Sequence, residues 1–182
     1  MKRLPTRLDG TVLLAPAVRP DERGFFLETF RAEAWAEHGV ATDFVQDNHS
    51  RSRRGVVRGI HFQLPPGQGK LVRCARGRVW DVVVDLRRRS PTFGEWEAFE
   101  LDDEACHQLW IPPGFGHGFC VLSDVADFVY KCTTYYDPAT ERGFKFDDPD
   151  VGIAWPADVE LDYSERDRTA PRLAEIADAT GF

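Results

Sequence analysis

"VWDVVVDLR", residues 79–87, is the stretch on which the fold turns. In an extended chain Val82 and Val84 fall on one face, while Asp81, Val83 and Asp85 fall on the other. One face is dry and the other mixed. Outward from this segment, from Thr42 to Tyr136, short runs rich in Val, Phe, Tyr, Trp and Thr are broken by Gly and Pro clusters at about ten-residue intervals. That rhythm predicts an all-β fold, an antiparallel jelly roll or small barrel whose interior can hold a ligand where its inward residues are partly polar. Helical signals are confined to the periphery. They are "RAEAWAEHG" (31–39), ended by Gly39, and "APRLAEIADA" (170–179), entered through Thr169, Ala170 and Pro171.

The 182 residues, 42% of them hydrophobic, suit one domain spanning 1–182. A formal net charge of -7 argues against nucleic acid as a partner, because gripping a phosphate backbone requires a basic face. An anionic ligand must instead be held by local arginines and lysines. Cys74, Cys106, Cys120 and Cys132 form no CxxC pair, and the amino terminus lacks a signal peptide's apolar stretch. They read as buried thiols of a cytoplasmic protein. No apolar run approaches the roughly 20 residues a spanning helix needs, so no membrane is expected.

"RGIHFQLPPGQGKLVRC" (58–74) sets His61 and Lys70 on either side of a stiff Pro- and Gly-rich connector. Arg58 and His61 differ by three positions, so they point to opposite faces unless Gly59 introduces a bulge. His117 ends "PPGFGH" (112–117), a P-x-G-x-x-H pattern similar to the second half of a cupin metal motif. The H-x-H half is missing, since Phe62 and Gln63 follow His61, and too few ligands remain for a divalent ion. Imidazoles without a metal are free to move protons at neutral pH. "DFVYKCTTYYDP" (127–138) puts Tyr130 on one strand face with Phe128 and Cys132, and of the adjacent Tyr135 and Tyr136 only one can face a cavity. In "RSRRGVVR" (51–58), Arg51, Arg53 and Arg54 read as a solvated loop, whereas Arg58 lies within the apolar strand. Burying a guanidinium calls for an anionic partner. Arg23 in "DERGFF" (21–26) is likewise set just ahead of an apolar segment, and two inward arginines suggest a phosphate-bearing ligand.

Taken in order, "DERGFF", "FVQDNHS", "VVRGIHFQ", "GKLVRC", "VWDVVVDLR", "SPTFGEW", "IPPGFGHGF" and "DFVYKCTTYYDP" resemble the dTDP-4-dehydrorhamnose 3,5-epimerases, from about Asp21 to Trp155. The resemblance implies a cupin-type jelly roll without metal or other cofactor, assembled as a homodimer and acting on a dTDP-sugar. It implies His61 as base, Asp167 in "YSERD" (163–167) as its orienting carboxylate, Tyr130 as the opposing acid and Lys70 beside the substrate O4. It further implies ligand contacts at Arg23, Glu28, Gln46, Asp47, Asn48, Arg58, His117, Glu141 and Arg166, and a thymine stack on Tyr136. Arg166 departs from the lysine common in relatives, and the fork geometry of arginine differs. Whether C3, C5 or both are inverted is left open by these motifs. The competing classes are a metal-dependent cupin and a non-catalytic cupin that senses a sugar nucleotide.

Overall fold

The computed structural model describes residues 1–41 and 43–182; Thr42, the first residue of the expected β-rich stretch, lies outside the described residues. Strands β1 (Lys2–Leu4), β2 (Val12–Ala15), β3 (Val18–Asp21) and β4 (Gly24–Leu27) precede a short helix, α1 (Ala32–Ala36). The central run is β5 (Gln46–Arg53), β6 (Val56–Gln63), β7 (Lys70–Arg76), β8 (Arg78–Asp85), β9 (Trp96–Asp102), β10 (Gln108–Ile111), β11 (Phe115–Val121) and β12 (Val125–Cys132). After it come β13 (Glu141–Gly143), β14 (Asp162–Tyr163), α2 (Glu165–Arg168), α3 (Leu173–Ile176) and a final helical turn at Ala177–Ala179. The sequence pattern marked the central run. It missed β1 to β4 and β13 to β14, which at two to four residues are too short to display alternation.

One sheet runs β1-β2-β10-β7-β12-β5 and the other β13-β6-β11-β8-β9, with β14 added in parallel to β6. Side chains from both, among them Val72, Leu109 and Phe128 of the first and Val79, Val83 and Phe119 of the second, form one buried cluster, so the sheets face each other as a jelly roll. The mixed face of β8 is the interior one: Val83 joins that cluster, with Asp81 and Asp85 fully buried on the same side. The dry face points outward yet is equally buried, because Val82, Val84 and Leu86 pack with Ile60, Phe144 and Leu173 of α3. Full burial of such an aliphatic side chain contributes about 1.5–3 kcal/mol, which is why the carboxyl-terminal segment folds back on this sheet rather than on the end of the barrel. On the outer face of the other sheet, Trp35 of α1 and Val40 close over Val12, Leu14, Leu71 and Trp110. Gly39, at φ +81, ends that turn as expected. Arg51 and Arg53 lie on β5 rather than in a loop, with their side chains in solvent.

Asp85 closes the far end of β8. Its carboxylate accepts from Arg87 Nε at 2.9 Å, Ser90 Oγ at 2.6 Å and Thr92 Oγ1 at 2.7 Å. Burial works to raise this carboxyl, but those bonds prevail and hold it at about 2, against an ordinary 3.8. A lowered folded-state value stabilises above the unfolded one, so the contribution is complete above about pH 4 and is lost as pH falls towards 2. Asp85→Asn is expected to cost about 2 kcal/mol in urea unfolding at pH 7 and much less near pH 2.

All four cysteines are buried and free, and burial pushes the Cys74 thiol up to about 12 and Cys120 to about 11. Among the described residues no helix is long and apolar enough to cross a membrane.

Candidate active site

Strict alternation along β6 would separate Arg58 from His61. In the ladder with β11, however, His61 lies opposite His117 and Arg58 opposite Phe119, three steps on β6 against two on β11. The irregularity is a β-bulge at Gly59, whose φ of +130 an L side chain rarely adopts. A Cβ there would stand 2.5 Å from Gly118 Cα and 2.8 Å from His117 O. Both side chains therefore reach one cavity of about 520 Å³.

The β6–β7 connector carries the chain from one sheet to the other, so His61 and Lys70 rise from opposite walls. It is tied down along its length. Gly67 N donates to Leu64 O at 2.9 Å, Gln68 Nε2 to Thr134 O at 2.8 Å, and Gly69 N to Thr133 Oγ1 at 2.9 Å. Lys70 shares its wall with Phe128 and Tyr130 of β12; His61, Arg58 and His117 line the other. A second cavity of about 250 Å³ shares His61, Lys70 and Tyr130 and adds Gln46, Asn48, Tyr136 and Glu141.

His61 Nε2 donates to Asp167 Oδ1 at 2.7 Å, which leaves Nδ1 with its lone pair. Asp167 sits in α2, capped by Ser164 Oγ, which accepts from the Asp167 backbone N at 3.1 Å. Burial works to raise the Asp167 carboxyl, but the His61 hydrogen bond and charge, with Ser164 and Arg166, hold it below the usual aspartate value. Burial raises the Tyr130 phenol, with the neighbouring Cys132 and Glu141 acting in the same sense and Arg58 and Asn48 opposing, so it remains protonated at neutral pH. Burial lowers the Lys70 ammonium, while Cys132, Glu141 and Asp81 favour its charge.

A second histidine–carboxylate pair lies beside the first, since His117 is the ladder partner of His61. His117 Nε2 donates to Asp81 Oδ2 at 2.9 Å, and Asp81 Oδ1 is buried without a partner among the described residues. Burial raises the Asp81 carboxyl, with His117 and Lys70 opposing. Asp81 was not singled out in the sequence, although an acidic residue on the mixed face of β8 was the available signal. Ser52, which accepts from Arg58 Nε at 3.1 Å, and Ser164 gave no sequence signal.

Several expected contacts fall elsewhere. Arg58 lines the larger cavity but is exposed there rather than buried within the strand. Arg23 does not turn inward. It stands at the tip of the β3–β4 hairpin, its side chain 84% exposed, paired with Asp21 at 2.6 Å. The hairpin forms its own two-stranded sheet, so its side chains cover no part of the core. Glu28 pairs with Arg31 at 2.6 Å and Asp47 with Lys131 at 3.0 Å, and neither lines the two cavities. Of the two terminal tyrosines it is Tyr136 that borders a cavity. Among the described residues no three His, Cys, Asp or Glu side chains gather as a metal-ligating group.

A family model described as dTDP-4-dehydrorhamnose 3,5-epimerase matches residues 5–175. The chain is 49% identical over 174 residues to a dTDP-4-dehydrorhamnose 3,5-epimerase of Methanothermobacter thermautotrophicus, covering 94% of each chain. It is 46% identical over 181 residues to a dTDP-4-dehydrorhamnose 3-epimerase of Streptomyces niveus, covering 98% of this chain and 87% of that one. Its fold is similar, at a TM-score of 0.94 and 45% identity, to the crystal structure of a Legionella pneumophila dTDP-6-deoxy-D-glucose-3,5-epimerase in complex with dTDP-4-keto-L-rhamnose, covering 98% and 96%. With the matched residues spanning nearly the whole jelly roll and both walls of its cavity, the chain belongs to the dTDP-4-dehydrorhamnose 3,5-epimerase family.

Proposed function

We propose that this chain epimerises dTDP-4-dehydro-6-deoxy-D-glucose at C3 and C5, giving dTDP-4-dehydro-L-rhamnose. The observation that carries the mechanism is the His61–Asp167 pair opening into the same cavity as Tyr130 and Lys70. The C4 ketone acidifies the hydrogens on C3 and C5. His61 Nδ1 takes one of them, the C–H electron pair moves to O4 as an enolate, and Asp167 stabilises the imidazolium that results. Lys70 beside O4 favours the enolate, an effect worth about 3 kcal/mol by analogy with oxyanion holes. Tyr130 gives its proton to the carbon from the opposite ring face, the enolate returns to the ketone, and solvent restores both groups. Arg58 at the mouth suits the diphosphate, and His117, fixed by Asp81, suits a sugar oxygen.

The substrate contacts attributed to Arg23 and Glu28 fit an assembled homodimer. The β3–β4 hairpin stands clear of its own barrel with Phe26 67% exposed and Phe25 beside it, an arm suited to another copy's cavity mouth. Sedimentation is expected to give a mass of two chains, and Phe25→Ser with Phe26→Ser is expected to shift it towards one. A monomeric wild-type protein would overturn the assembly.

Inversion at C3 alone is the second reading, favoured by the Streptomyces niveus relative, whose identity is close to that of the 3,5-epimerases. Incubation of the 4-keto sugar nucleotide in deuterium oxide is expected to place label at both C3 and C5. Label at C3 alone selects the second reading; no label at all rejects both.

A further inference from the structure

Glu141 holds two neighbours with one oxygen. Its Oε2 accepts from Tyr136 Oη at 2.9 Å and forms an ion pair with Arg166 Nη2 at 2.6 Å, and 16% of its side chain is exposed. It lies on β13 opposite Gln63 of β6, and Gly143 of the same strand lies opposite His61. Arg166 precedes Asp167 in the strap formed by residues 162–168, which joins the sheet through two ladder pairs, Asp162 with Val56 and Tyr163 with Val57. Past those pairs the strap returns to the wall carrying His61 through two side chains, Asp167 by its bond from His61 and Arg166 by its ion pair with Glu141. Glu141 borders the smaller cavity and Arg166 the larger, so their ion pair spans the junction of the two.

We infer that Glu141 is a positioning residue whose pairing with Arg166 sets where Asp167 meets His61, while its bond from Tyr136 links that setting to the nucleoside side of the site. The inference rests on the reading of His61 as base and Tyr136 as the stacking residue. An ion pair with so exposed an arginine adds little to folding. Its consequence is geometric, since a displacement of about 1 Å in a catalytic group costs up to about 10²-fold in rate. An arginine suits this role better than a lysine would, because its planar fork presents several donors to the Glu141 carboxylate in a fixed geometry.

Glu141→Gln keeps the acceptor for Tyr136 but removes the charge facing Arg166. We expect kcat to fall about tenfold with KM changed less than about threefold, the split that marks a lost transition-state arrangement. Arg166→Met should reproduce the loss, and Arg166→Lys should recover most of it. A rise in KM alone, with kcat unmoved, would make Glu141 a ligand contact only and overturn the inference. NMR of the His61 ring nitrogens in the substrate-free protein separates this failure from failure of the proposed reaction. Those signals should differ between wild type and Glu141→Gln whatever the substrate proves to be, and identical spectra would overturn the positioning role.

Discussion

His61→Ala should lower hydrogen exchange at C3 and C5 of the substrate by about 10³-fold, within the range that a positioned general base supplies. The neutral imidazole offers the cavity a lone pair at Nδ1, since its other nitrogen is committed to Asp167. The fold should survive, because the adjoining Ile60 and Phe62 carry the packing of β6 while His61 itself is partly open to the cavity. One residual cost is foreseeable. Asp167 would keep its burial and lose the bond that holds its carboxyl low, so the variant should be less stable than wild type near pH 7 and closer to it in acid. Deuterium wash-in followed by NMR measures the first effect directly. Exchange within a few-fold of wild type would remove His61 as the base.

The second large effect is expected of Tyr130→Phe, and its form matters more than its size. Net inversion should fall by about 10²-fold, while deuterium continues to enter the substrate with retention, because His61 can still remove a proton and return a solvent-derived one to the same face. Burial holds the Tyr130 phenol protonated through the neutral range, the state an acid needs before each turnover. Phenylalanine preserves the tilted packing on Phe128, at 6.1 Å between ring centres, so loss of structure is not expected. Exchange and inversion falling in step would show that the phenol is needed for proton removal too, and would sink its assignment as the opposing acid.

The alternation in residues 79–87 was enough for the sheet, but not for its orientation. A valine pair facing outward looks like one facing a core, and only the return of Leu173 and its neighbours shows that both faces of β8 are covered. Arg58 and His61 illustrate a conditional reading. Their shared cavity depends on a bulge, Gly59 permitted it, and the approach of Gly118 on the neighbouring strand requires it. Arg23 went the other way, because a hairpin that forms its own small sheet leaves no periodic trace that it stands away from the barrel. Asp81 was visible as a charge among valines, and its meaning came only with His117 across the ladder, where Asp81 lies opposite Phe119 and beside that histidine's strand. The linkage of Tyr136, Glu141 and Arg166 joins residues from a loop, a three-residue strand and a one-turn helix, none long enough to leave a period in the sequence.

The partners in the His61–Asp167 bond are 106 positions apart, and the later one arrives on a strap laid down after the barrel strands. A nascent polypeptide that has emerged only to residue 160 would already own its imidazole, ammonium and phenol, yet its imidazole would lack an anchor, and Val82, Val84 and Leu86 would be only partly covered, by Ile60 and Phe144 without Leu173. Such a fragment should be both catalytically silent and sticky, so competence and a fully covered outer face are acquired together, once residues 162–176 have followed the barrel.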